Sequence, residues 1–321
     1  RDQQKLQQKE ASESTFSIFA NKWFELKKQQ VKPDTAAHSY RALEKHILPS
    51  LGQTPIDAIR PKQIISILEP VAAKGNLETV KRLCQRLNEI MTYSVNTGLI
   101  HANPLSGLRA AFQKPVKENM PTIPPEELPE LMKDLSYASI KLVTRLLIEW
   151  QLHTMVRPSE AAGATWREIN FENKVWEIPA DRMKKKRGHN VPLTEQTIEL
   201  LNRLKPISGH REHIFPGDRN PRTHLNEQTA NMALKRMGYE NRLVAHGMRS
   251  IASTALNQHG FEGDVVEAAL AHVDKNEVRR AYNRADYLER RRVMMSWWSE
   301  YIELAKQGKV GVSNATLKIV G

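Results

Sequence analysis

Two blocks of helical periodicity, a proline-rich stretch between them, and a short run of β-favouring segments inside the second block predict a mainly α protein with a small antiparallel β-sheet. Their order predicts two domains, a helical one followed by a mixed α/β one. The 321 residues suit that number at ~100–200 residues per domain.

In the first block, "STFSIFANKWFELKKQQ" opens on Ser and Thr and sets Phe16, Phe19, Trp23, Phe24 and Leu26 at helical spacing. "KPDTAAHSYRALEKHILPSLG" reads as a second helix, capped by Asp34 and stopped at Pro49 and Gly52. "RPKQIISILEPVAAKG" reads as a third, and "NLETVKRLCQRLNEIMTYSVNTGLI" as a long fourth ended by Gly98. Prolines and charges between Asn103 and Pro129 mark a linker. The second block opens with helices near 125–136 and 139–153. In "WREINFENKVWEIPADRMKKKRGHNVPL" the runs 166–169, 175–179 and 190–193 read as short strands around a Lys/Arg-rich turn. From Thr194 helices are expected again to about residue 307. The resulting division is 1–110 for the helical domain, 111–124 for the linker, 125–308 for the mixed domain and 309–321 for a tail.

Net charge is +12, from 48 Lys and Arg against 36 Asp and Glu. Such a balance suits a polyanionic partner, nucleic acid before others, although a merely basic, well-solvated surface would give the same count. The hydrophobic fraction of 40% and charged fraction of 26% predict a soluble, globular chain. No apolar run approaches the ~20 residues of a membrane helix. The start "RDQQKLQQKE" is too polar for a secretory signal. The single cysteine, Cys84, excludes an internal disulfide and any multi-cysteine zinc site, which suits a cytoplasmic location.

Four stretches carry cationic or titratable groups in non-random settings. In "HTMVRPSEAAG", Arg157 precedes Pro158, which suits the first position of a helix, and Glu160 is placed to reach back to the guanidinium or cap the helix. In "RMKKKRGHNVPL", Lys184 begins a basic hairpin turn. In "AHGMRSIASTAL", His246 and Arg249 lie three apart and so neighbour each other on a helix. In "LAHVDKNEVRRAYNRADY", His272 is followed ten residues later by Tyr282. Taken singly, each has an ordinary explanation: a surface ion pair, a solvated turn, a structural histidine, a half-buried tyrosine. The order Arg, hairpin Lys, His-x-x-Arg, His, Tyr is what points elsewhere. "HREH" at 210–213 invites a metal reading, but it lies in a Gly/Pro loop with no third ligand in view.

With these stretches in view, the chain resembles the tyrosine recombinases, and among them the phage-type integrases carried by satellite prophages and genomic islands. "TMVRPSEAAGATW" is similar to the family's first-arginine box, "HGMRSIASTAL" to its His-x-x-Arg box, and "ALAHVDKNEVRRAYNRADYLERRRVMMSWW" to the segment with the second histidine and the nucleophile. The likeness spans about residues 14–303. It implies a helical core-DNA-binding domain and a mixed α/β catalytic domain, clamped around DNA like a C. Many members carry an additional N-terminal arm-binding domain. The sequence starts too late for one, so arm-site binding is expected to be absent.

The resemblance also implies roles. Phosphodiester transfer needs a nucleophile, neutralisation of charge on the phosphoryl oxygens and a proton for the leaving oxygen. Arg157 and Arg249 would grip the non-bridging oxygens with their planar forks. His246 would assist proton transfer near the nucleophile, and His272 would donate a further hydrogen bond. Glu160 would orient Arg157. Tyr282 would attack to form a 3′-phosphotyrosyl link, and Lys184 would protonate the departing 5′-oxygen. In the family the lysine stands seven residues before the valine of "VPL", here Val191, which gives Lys184; Lys185 and Lys186 are near enough to compete. Tyr287 lies five residues beyond Tyr282, about 140° round a helix, so the two cannot share a face. The spacing from His272 favours Tyr282. Because a covalent link to DNA conserves the phosphodiester energy, neither ATP nor a metal ion is required.

The expected function is site-specific integration or excision of a mobile element within a homotetramer on attachment-site DNA. A directionality factor and a host DNA-bending protein are further expected partners. In the tail, Leu317, Ile319 and Val320 would dock on a neighbouring protomer. Two rivals are a type IB topoisomerase-like enzyme acting on one duplex and an inactive architectural DNA-binding protein. The helical first domain and the box pattern weigh against the former, and the full residue set against the latter.

Overall fold

The computed structural model describes residues 14–116, 119–272 and 287–309. Tyr282 and all but the first residue of the expected tail lie outside the described residues. Contacts divide the chain into two units, Arg1–Glu118 and Asn119–Gly321.

In the first unit, α1 (Phe16–Gln30), α2 (Pro33–His46), a single turn α3 (Leu48–Leu51), α4 (Pro61–Ala73) and α5 (Leu77–Asn96) pack around one apolar core. Phe16, Phe19 and Trp23 recur at helical spacing on α1 and bury against Leu83, Leu87 and Ile90 of α5. The Trp23 Nε1 donates to Glu89 at 3.2 Å and Lys27 meets the same carboxylate at 2.9 Å, so α5 also holds the polar flank of α1. Two boundaries differ from the sequence reading. Pro33 occupies the first turn of α2, so Lys32 is its cap and Asp34 lies within the first turn, where its charge still suits the helix dipole. Pro49 opens the extra turn α3 rather than stopping a helix.

In the second unit, α6 (Leu128–Tyr137) and α7 (Leu142–Thr154) lead into the short α8 (Pro158–Ala162). Three antiparallel strands follow, β1 (Ile169–Asn170), β2 (Val175–Ile178) and β3 (His189–Pro192), in the order β1-β2-β3. Trp176 pairs with Val191 and Ile178 with His189, which leaves residues 179–188 as the β2–β3 connection. Helices α9 (Glu195–Ser208), α10 (Thr229–Leu234), α11 (Met248–Gln258), α12 (Gly263–Ala269) and α13 (Leu288–Lys306) complete the described part. The run expected to start strand-like at Trp166 is a 3₁₀ turn, Trp166–Glu168, and only then a strand. The helical stretch expected from Thr194 is broken between α9 and α10 by turns and the isolated bridges Thr165–His213 and Pro216–His224. These turns contain "HREH".

α7 is the hub of this unit. It is buried on nearly every side, and its polar Glu149, Gln151 and His153 are met by Lys306, the Ala245 carbonyl and Ser299. Trp150 sits 5.1 Å from Trp176 of β2 and 6.3 Å from Phe215, ring centre to ring centre. The next turn of α7 ties to α13: Trp298 donates to the Leu152 carbonyl at 2.8 Å, and His153 Nδ1 meets the Ser299 hydroxyl at 2.8 Å. At the other end of the unit, residues 121–123 pack on the turn before α11. Val244 N–H donates to the Pro121 carbonyl at 3.2 Å, Thr122 donates to the Gly247 carbonyl at 2.9 Å, and Ile123 is buried. Among the described residues no helix is long and apolar enough to cross a membrane.

Candidate active site

Arg157 caps α8 because Pro158 takes the first helical position, where its missing N–H leaves nothing unpaired. The turn closes with Glu160: its carboxylate accepts the Arg157 backbone N–H at 2.9 Å and the Arg157 Nη1 at 2.8 Å. Glu160 is only 2% exposed, so its charge is matched inside the protein and the Arg157 fork is held in one orientation. The Arg157 Nη2 donates to the Ala271 carbonyl at 3.3 Å.

Arg249, on the first turn of α11, is buried as well. It donates through Nη1 to the Met155 carbonyl and through Nη2 to the Leu270 carbonyl, both at 2.6 Å. Met155 ends α7 in the left-handed conformation, with φ of 55°. The Nη2 of Arg249 also reaches His272 Nε2 at 3.3 Å. On its other side the His272 ring is held by Glu267, whose carboxylate lies 2.8 Å from Nδ1. The two arginines thus converge on one turn, residues 270–272. Burial, and then the Arg157 charge, push the Arg249 guanidinium down to about 10, which leaves it charged at neutral pH.

His246 stands half-buried one turn before Arg249. Its pKa is lowered, first by burial and then by the charges of Arg249, Arg157, His272 and Lys184. It is therefore a neutral imidazole at neutral pH, able to accept a proton. Lys184 lies exposed on the β2–β3 connection, inside the tight turn that Lys186 N–H closes on the carbonyl of buried Met183 at 3.2 Å. Tyr287 caps α13 with φ of 51° and packs against the core of the unit.

Arg157 and Glu160 form one contacting pair and Arg249 and His272 another, the two pairs meeting on the 270–272 turn, with His246 and Lys184 within electrostatic reach. Sequence reasoning missed Glu267, which holds the His272 ring, and the carbonyls of Met155, Leu270 and Ala271, which aim the arginines. Glu267 carries a weak signal, five residues before His272 with an apolar helix between; the carbonyls carry none. Among the described residues no three His, Cys, Asp or Glu side chains group as metal ligands.

Two converging guanidiniums, a neutral imidazole and a nearby ammonium suit a phosphoryl-transfer site that works on an anionic diester. Comparison with known proteins agrees. Residues 121–289 match the phage integrase family and residues 16–111 the phage integrase central domain, so the chain belongs to the phage integrase family. It is an enzyme, a site-specific tyrosine recombinase. It is 50% identical to the prophage integrase IntA of Escherichia coli (strain K12) over 313 residues, covering 97% of this chain and 76% of that one. It is 34% identical to the integrase of Enterobacteria phage P4 over 306 residues, covering 90% and 70%. The fold is that of lambda integrase, seen as a tetramer bound to a Holliday junction, with a TM-score of 0.66 at 18% identity over 82% of this chain and 79% of that one.

Proposed function

We propose that Tyr282 is the nucleophile and that Arg157, Arg249, His246, His272 and Lys184 are its partners in DNA strand exchange. The Tyr282 hydroxyl attacks the scissile phosphorus, the bond to the 5′-oxygen breaks, and the 3′-phosphate remains on the tyrosine. Arg157 and Arg249 neutralise the two non-bridging oxygens as charge builds on them. His272 adds a hydrogen bond on the same side, and Glu160 keeps Arg157 aligned. His246, neutral before reaction, takes part in moving the tyrosine proton. Lys184 gives the leaving 5′-oxygen its proton. The observation that carries this reading is the convergence of Arg157 and Arg249 on the 270–272 turn, ten residues before Tyr282.

Residues 1–110 serve as the core-DNA-binding domain and 125–308 as the catalytic domain, joined by 111–124. The enzyme acts on double-stranded attachment sites as a homotetramer in the cytoplasm of a bacterial host. A directionality factor and a host DNA-bending protein assist it. The lambda neighbour's assembly on a Holliday junction and the basic charge of this chain support that reading.

The test is a nicked suicide substrate carrying a candidate attachment core, resolved on a denaturing gel. Wild type and Tyr287→Phe should yield a covalent protein–DNA species, while Tyr282→Phe should bind DNA and yield none. The opposite pattern for the two tyrosines would move the nucleophile to Tyr287.

A further inference from the structure

The general acid of this reading sits on an exposed turn, yet proton delivery to the 5′-oxygen demands that it arrive within hydrogen-bond reach. Something must hold the root of that turn. Two residues before Lys184 stands Arg182, whose side chain turns back into the protein and is only 19% exposed. Its Nη1 pairs with the carboxylate of Glu168, itself 3% exposed. The same Glu168 oxygen accepts Trp176 Nε1 from β2 at 2.9 Å and the Thr165 backbone N–H at 3.3 Å. The Nη2 of Arg182 donates to the main-chain carbonyl of Glu160 at 2.7 Å. Glu160 therefore faces two ways: its carboxylate orients Arg157, and its carbonyl holds Arg182.

The close fit confirms that the guanidinium belongs there. A Cβ on Gly163 would lie 2.8 Å from Arg182 Nη2, so residue 163 leaves room for it only because it has no side chain. Met183, between Arg182 and Lys184, is buried in the core of the unit, which fixes the strand exit a second time.

We infer that Arg182, held by Glu168 and the Glu160 carbonyl, is a positioning residue that ties the lysine-bearing turn to the helix of the first arginine. It touches no reacting atom; it sets where Lys184 starts from relative to Arg157. This rests on the reading of Lys184 as general acid.

The test compares cleavage of an ordinary substrate with cleavage of one bearing sulfur at the 5′-bridging position. There the P–S bond breaks and a thiolate leaves without needing a proton. Removing Arg182 alone would strand a buried carboxylate, so the variant is the double change Arg182→Met with Glu168→Gln, which removes both charges and keeps both volumes. On the ordinary substrate Lys184→Ala should lose about 10²–10⁴-fold in rate. The double variant should lose roughly 10–10²-fold, the effect of a misplaced rather than a missing group. Sulfur should rescue both, and should not rescue Arg157→Ala. If Lys184→Ala is rescued but the double variant loses rate on both substrates alike, or on neither, the positioning role is overturned while the lysine assignment stands. If Lys184→Ala is not rescued, the lysine assignment fails and the inference falls with it.

Discussion

The Nη2 of Arg249 donates to the Leu270 carbonyl at 2.6 Å and lies 3.3 Å from His272 Nε2. One nitrogen of the second arginine thus anchors the turn that ends at the second histidine. The fork geometry is needed for this, because Nη1 is engaged at the same time by Met155 from α7. A lysine at this position keeps the charge but offers a single point of contact. Arg249→Lys should therefore cut single-turnover cleavage by ~10²–10³ while non-covalent DNA binding changes little. A near-normal cleavage rate would show that charge alone suffices.

Stability should fall on mild acidification. Burial, and then Lys306, push His153 down to about 3; burial, and then Arg291, push His189 down to about 4. In the unfolded chain both return to about 6.5. Below that value the unfolded state binds protons that the folded state refuses, so unfolding becomes easier as pH drops. His246, His213 and His46 are lowered too and act in the same direction. Denaturant titrations between about pH 6.5 and 5, above the carboxylate range, should show stability rising with pH. His153→Gln should flatten that slope. A flat profile for the wild type would contradict the burial of neutral imidazoles.

Gly247 lies between His246 and Arg249, and a Cβ there would meet the Pro121 carbonyl at 2.2 Å. Its φ of −64° is ordinary, so the constraint is space rather than backbone conformation. Gly247→Ala must push residues 121–123 off the turn or shift the start of α11. Overpacking of this kind costs ~1–3 kcal/mol. The thermal midpoint should drop and cleavage should fall with it. An unchanged midpoint would mean that the two segments separate freely.

DNA binding should draw on both units. With a net charge of +12, affinity should fall steeply with salt, at a log–log slope of roughly −0.9 per phosphate neutralised. Because residues 121–123 belong to the second unit and pack on the turn before α11, a fragment for this test should begin at residue 119. Residues 119–321 should bind a core site much more weakly than the whole chain and with a shallower slope. Equal affinity and slope would place all the binding in the second unit.

What the sequence determined by itself is local. The spacing of Phe16, Phe19 and Trp23 marks a helix face, Pro158 marks the start of α8 with Arg157 at its cap, and the β-favouring runs at 175–179 and 190–193 mark short strands. Each follows from side-chain periodicity or from the chemistry of one residue against its neighbours. The residue types for phosphoryl transfer, in their chain order, were equally legible. Only the tertiary structure decided how they meet. Arg249 is aimed by the Met155 carbonyl, 94 residues away, and Arg157 by that of Ala271, 114 residues away. Arg182 is seated against the Glu160 carbonyl, 22 residues away, and His189 against that of Ala269, 80 residues away. The partners in these contacts are main-chain oxygens, which every residue possesses and no sequence pattern distinguishes. They become specific only when packing around α7 buries them, because a buried carbonyl or guanidinium must find its hydrogen bond inside the protein.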